Sequence, residues 1–130
     1  MSLNKQNQTG TLYNLSSAFF AFILWGGWAY FVNNNMVSSL TQGTASFIIT
    51  LFLVRAVSTL YASLSRKTGN GFVQLMLPAM VTVSFTATCL YIAHSIAGTA
   101  HIIKTIAPAL LVAFLFCVFT AYKIKTKAAT

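Results

Sequence analysis

Apolar positions in this chain run in blocks of about helix-spanning length, with polar residues confined to the gaps between them. Four such blocks are legible: residues 14–33, 44–65, 72–93 and 102–122. Each holds ~20 residues, which as a helix rising 1.5 Å per residue crosses a ~30 Å hydrocarbon core. The predicted fold is therefore an all-α integral membrane protein with four transmembrane helices. Residues 1–13 read as a polar N-terminal tail, 14–122 as the membrane domain and 123–130 as a basic C-terminal tail. Between the first two spans, NNMVSSLTQG reads as a polar, uncharged loop. SRKTGNG reads as a tight basic turn broken by Gly69, Asn70 and Gly71, and IAGTAH as a short turn. The first span is too long and too aromatic for a signal peptide and lacks a small-residue cleavage site.

Composition agrees with the pattern. Hydrophobic residues make up 57% and charged residues 6% of the chain, against roughly 25% charged in a soluble domain. A net charge of +8 raises the question of nucleic acid, but the basic residues sit at span ends and form no patch, so no nucleic-acid partner is expected. They act instead as orientation signals. Lys5, Arg66, Lys67, Lys123, Lys125 and Lys127 fall on one side of a four-crossing chain, and Lys104 alone on the other. The positive-inside rule then predicts an inner (plasma) membrane protein with both termini cytoplasmic. Trp25, Trp28, Tyr30 and Phe31 fit the outer aromatic belt, Tyr61 and Tyr122 the inner one.

GTASFIIT from Gly43 and GTAHIIKT from Gly98 agree at Gly, Thr, Ala, Ile and Thr. Read as a 55-residue repeat, they make the chain two tandem helical hairpins, with Thr44 and Thr99 as N-caps.

The chain contains no Asp or Glu. That excludes a carboxylate proton relay, a Mg²⁺ or Ca²⁺ cage and a Ser–His–Asp arrangement. No Walker A or Rossmann fingerprint occurs. The chain is expected to be no enzyme and to need no cofactor. Cys89 and Cys117 lie inside apolar spans and read as buried free thiols. In size and span number the chain resembles the small four-helix proton-coupled cation exporters and the small fluoride channels. Ala or Phe fills the region where the exporters carry their first-helix Glu, and the Gly-rich first-helix signature of the channels is not visible. No residue role carries over from either.

Candidate chemistry centres on Arg55, in the middle of the second span. An arginine keeps its charge in any protein environment, and near a bilayer centre that costs at least ~2.5–3.5 kcal/mol. No side chain here can neutralise it. Arg55, Ser58, Thr59 and Arg66 share one face by helical spacing and read as a track for an anion or a phosphate headgroup. The plainer alternative is that Arg55 snorkels and the hydroxyls bond their own helix. On the third span, Thr82, Thr86 and Cys89 share one face and Ser84 and Thr88 another, suiting helix packing or a hydroxyl-lined path. His94, His101 and Lys104 gather at the outer end and could receive an anion; two histidines without other ligands make no metal site. Pro108 leaves the Lys104 carbonyl without its usual helical donor, and Gly26 and Gly27 suit close helix contact.

Two functions follow from these residues. One is a subunit of an oligomeric transporter, flippase or channel that handles an anion or phosphate-bearing lipid through Arg55. The other is an accessory, assembly or immunity-type subunit whose Arg55 pairs with an acidic residue of a larger membrane partner. Expected partners are membrane lipids, together with further copies of the chain or that acidic protein.

Overall fold

The computed structural model describes the backbone of residues 2–129 and the side chains of residues 10–127. Four helices follow one another: α1 (Ser2–Asn33), α2 (Met36–Ser65), α3 (Gly71–Ala97) and α4 (Ile102–Ala129), with no strand among the described residues. All four are long and apolar enough to cross a membrane. The connections are short, so sequential helices run antiparallel. α2 is the organising element, because it touches each of the other three helices; α1 and α3 do not meet among the described residues.

The outer surface explains the composition. Phe19, Phe85, Phe119 and Ile96 are among many large apolar side chains that face outward. Water would make that surface costly, whereas lipid makes it free. The interior is made of small residues that let the helices approach. Ala18, Ala21 and Ala29 are buried on α1, and Leu53, Val57, Tyr61, Ala79, Cys117 and Ala121 form a core joining α2, α3 and α4. At the α1–α2 crossing Gly26 faces Gly43. A Cβ on Gly26 would come within 3.2 Å of the Ser39 carbonyl oxygen, and one on Gly43 within 3.1 Å of the Phe22 carbonyl oxygen. Gly27 has open space where its Cβ would be, so only one glycine of the pair is a packing contact.

The first interhelical connection differs from the expected ten-residue loop. It consists of Asn34, at φ 49°, and Asn35. Asn35 is the N-cap of α2: its side chain accepts hydrogen bonds from the Val37 and Ser38 amides. Residues 36–43 are therefore helical, and Ser38 and Gln42 turn into the bundle and are fully buried. Thr44 is exposed, mid-helix, and caps nothing. The other expected N-cap, Thr99, lies in the α3–α4 turn before the helix proper. α3 ends at Gly98, whose φ of 72° is the left-handed C-cap conformation. Gly43 thus sits inside a helix and Gly98 ends one, so the two Gly-Thr-Ala stretches do not occupy equivalent places. Residues 2–13, read as a tail, continue α1, and residues 123–129 continue α4. Met1 and Thr130 lie outside the described residues.

Candidate functional site

Besides Gln74, which donates from Nε2 to the Thr68 carbonyl at 2.6 Å, polar chemistry in this bundle gathers in two places. The first is the end where α1 meets α2 and α3 meets α4. His94, the last buried residue of α3, is fully enclosed. Its Nε2 lies 2.6 Å from Gln42 Oε1, and its Nδ1 2.7 Å from Thr99 Oγ1. Thr99 Oγ1 is 2.9 Å from Ser38 Oγ, and Gln42 Nε2 donates to Ser46 Oγ at 3.3 Å. The directions follow from Gln42. With its amide nitrogen committed to Ser46, its oxygen accepts, so His94 carries its proton on Nε2. His94 Nδ1 then accepts from Thr99, which accepts from Ser38. The result is one hydrogen-bonded chain joining α2, α3 and the α3–α4 turn.

A second cluster at the same end ties α1 to α4. Asn33 Nδ2 donates to Thr105 Oγ1 at 2.7 Å and to the Ala29 carbonyl at 2.9 Å, while its Oδ1 accepts from the His101 amide at 3.0 Å. Thr105 also donates to the His101 carbonyl at 2.6 Å. The Lys104 carbonyl, deprived of a helical donor by Pro108, accepts from Trp28 Nε1 at 3.1 Å. The three residues of the expected outer anion cluster therefore part company. His94 faces inward, whereas His101 and Lys104 are exposed. Among the described residues, no group of three metal-capable side chains comes together.

The second place is the lipid-facing side of α2. Arg55 is exposed and forms no ion pair or side-chain hydrogen bond among the described residues. Ser58 Oγ donates to the Val54 carbonyl and Thr59 Oγ1 to the Arg55 carbonyl, so both hydroxyls serve their own helix. Arg66, at the C-cap of α2, donates from Nε to the Ala62 carbonyl. Arg55 borders a shallow hollow with Phe52, Ala56, Thr59 and Leu60. Phe52 and Ala56 also line a groove of about 430 Å³ between α2 and α3, so hollow and groove adjoin. Thr82, Thr86 and Cys89 lie along that groove. Cys89, expected to be buried, is exposed there, because a lipid-facing surface suits a thiol as well as an interior does. Cys117 is buried as expected.

A cavity of about 240 Å³ is lined by residues of all four helices, among them Ser17, Ser46, Thr50 and Thr86. Ser46 is the inner end of the His94 chain and borders this cavity.

The residues that sequence reasoning missed are Asn33, Ser38, Gln42 and Thr105. The available signal was Ser38, Gln42 and Ser46 at successive four-residue steps, a polar stripe on one helical face. No family model, curated protein or solved structure matches this chain.

Proposed function

We propose that this small polytopic membrane protein handles a phosphate-bearing lipid through Arg55, as one subunit of an oligomeric transporter or flippase. The observation that carries the proposal is the continuity between the Arg55 hollow and the apolar α2–α3 groove. An exposed cation beside an apolar lateral groove is what a molecule with an anionic head and an apolar body requires.

Depth supports the assignment. α2 has 30 residues, about 45 Å at the helical rise, against a core of about 30 Å. Arg55 lies about 15 Å above the Ser65 end by the same rise. In a centred helix its Cα is therefore roughly 7–8 Å inside the nearer boundary, within reach of a phosphate once the side chain extends. A guanidinium pairs with phosphate through two parallel hydrogen bonds. Arg66 and Lys67, in the α2–α3 connection, add cations at the lipid surface below it.

The test is reconstitution into vesicles with a fluorescent phospholipid whose outer-leaflet fraction is destroyed by dithionite. Wild-type protein should accelerate exchange between leaflets, Arg55→Lys should retain part of the effect and Arg55→Leu should lose it. A second reading is favoured by the absence of Asp and Glu: the same face docks on a carboxylate of a larger membrane protein. Vesicles that show no exchange, together with a co-purifying protein lost in Arg55→Leu, would overturn the first reading in favour of this one.

A further inference from the structure

Three cations near the basic turn have a local role. Lys123 Nζ stands 4.7 Å from the centre of the Phe119 ring. Arg66 donates from Nε to the Ala62 carbonyl. Lys127 lies in the last turn of α4, where the negative end of the helix favours a cation. Lys125 has no such role. It lies before that turn, it is half-buried, and among the described residues it makes no hydrogen bond and no ion pair.

Its place follows from the core face of α4. Cys117 and Ala121 are fully buried on that face, and Lys125 is its next position by the four-residue spacing. The face outruns the apolar core there, and Lys125 reaches over the first residue of α3. A Cβ on Gly71 would collide with Lys125 Nζ and would meet no backbone atom. Gly71 therefore leaves the space that the ammonium fills.

That space suits a cation poorly. The start of α3 is the positive end of its dipole. Its first amides are already taken, since Asn70 Oδ1 accepts from Phe72 and Val73. Arg66 and Lys67 are exposed in the connection that ends at Gly71. Three cations thus belong to one corner of the bundle, and the chain has no Asp or Glu to set among them. Like charges so placed repel until an anion joins them. Gly71 begins the α3 span, so this corner lies at the level of lipid headgroups, where phosphate is the anion at hand.

We propose that Lys125, Arg66 and Lys67 form a seat for the phosphate of an anionic glycerophospholipid, at the corner where the end of α4 meets the start of α3, and that Gly71 keeps this seat open. Arg66 offers forked donors, while Lys125 and Lys67 act as point charges. The seat is separate from Arg55, which lies about 15 Å further along α2 at the helical rise. It selects lipids of net negative charge, because a zwitterionic headgroup brings a cation of its own.

The test offers the protein, stripped of lipid in mild detergent, equal amounts of dioleoyl phosphatidylglycerol and dioleoyl phosphatidylcholine. Retained lipid is counted by native mass spectrometry. The wild type should prefer phosphatidylglycerol several-fold. Gly71→Ala keeps every charge but displaces Lys125, so it should lose most of the preference. Only a flexible side-chain end must move, so its unfolding by dodecyl sulfate should match the wild type. Gly69→Ala, with open space around Gly69, should keep the preference. Lys125→Gln should lose it and Lys125→Arg retain it. Lys123→Gln removes the same charge from the same end and should keep most of it. Equal retention of the two lipids by the wild type, full preference in Gly71→Ala, or equal losses in Lys123→Gln and Lys125→Gln would overturn the seat in favour of diffuse charge. Displacement of phosphatidylglycerol by millimolar inorganic phosphate would overturn the lipid occupant in favour of free phosphate. The same differences should appear in an Arg55→Leu background, and their disappearance there would overturn the separation of the two sites. Leaflet exchange remains the measure of the Arg55 site, so failure of this seat leaves that reading standing.

Discussion

Replacing Gln42 with Leu should destabilise the bundle more than any conservative change in its apolar core, and the size of the effect can be worked out bond by bond. Gln42 makes a 2.6 Å contact with His94 Nε2 and a 3.3 Å contact with Ser46 Oγ. The second is at the long end of the hydrogen-bond range and contributes little. The first is the larger loss, because it leaves the His94 N–H enclosed with no partner and no water. A buried unsatisfied group costs ~1–3 kcal/mol. Deleting both partners removes that penalty, so the double variant Gln42→Leu/His94→Phe should be less damaged than the sum of the singles. Hydrogen bonds between membrane helices give coupling energies of ~0.6 kcal/mol on average and up to ~1.7 kcal/mol. The full enclosure of both side chains predicts a value toward the upper figure. The assay is reversible unfolding by dodecyl sulfate in mixed micelles, followed by helix circular dichroism, for the wild type, both singles and the double. A coupling energy below ~0.3 kcal/mol, within the additivity of independent sites, would show that the contact holds nothing together.

Three further outcomes are expected. Gly26→Ala should destabilise by ~1–3 kcal/mol through overpacking against the Ser39 backbone, whereas Gly27→Ala, with open space around it, should stabilise by up to ~1 kcal/mol; equal effects in the same unfolding assay would refute the α1–α2 contact. Trp28→Phe should cost ~1 kcal/mol by removing the indole donor to the Lys104 carbonyl, and Pro108→Ala should reverse that loss by supplying a helical N–H to the same oxygen. With both native cysteines replaced, Thr68→Cys in intact cells should react with an impermeant maleimide only after the membrane is opened; labelling from outside would invert the proposed orientation.

How much of this was legible in the sequence depended on what kind of signal each residue carries. Four helices follow from block length, because lipid forces every backbone group in a span to pair within it. The ends of those helices were harder to read. Residues 36–43 look like a loop by polarity, yet Asn35 caps a helix there and Ser38 and Gln42 face inward to meet His94. A polar stripe pays for burial only when its partner is in place, and that partner lies 52 residues further along the chain. Trp28 on the Lys104 carbonyl was half legible: Pro108 predicted a free acceptor but not which donor would take it. At Arg55 the sequence offered a basic track or a plain snorkelling residue with self-bonded hydroxyls. The hydroxyl geometry matches the second description, while the groove beside Arg55 comes from the packing of α3 against α2 and is invisible in either segment alone.

The two polar regions divide the labour within the bundle. At the end away from the basic turn, polar side chains are enclosed and paired, and they join all four helices through His94, Gln42, Asn33 and Thr105. The enclosed side chains there are turned on one another, whereas His101 and Lys104 remain exposed at the same end. Toward the other end the interior closes on Leu53, Val57, Ala79 and Cys117, which carry no directional bonds. There Arg55 lies exposed on α2, beside the hollow that adjoins the groove. The same variants test this division. Gln42→Leu should loosen the paired end and lower stability while leaving lipid exchange between leaflets intact. Arg55→Leu should do the reverse, and one variant changing both quantities in parallel would show that the two ends are not independent.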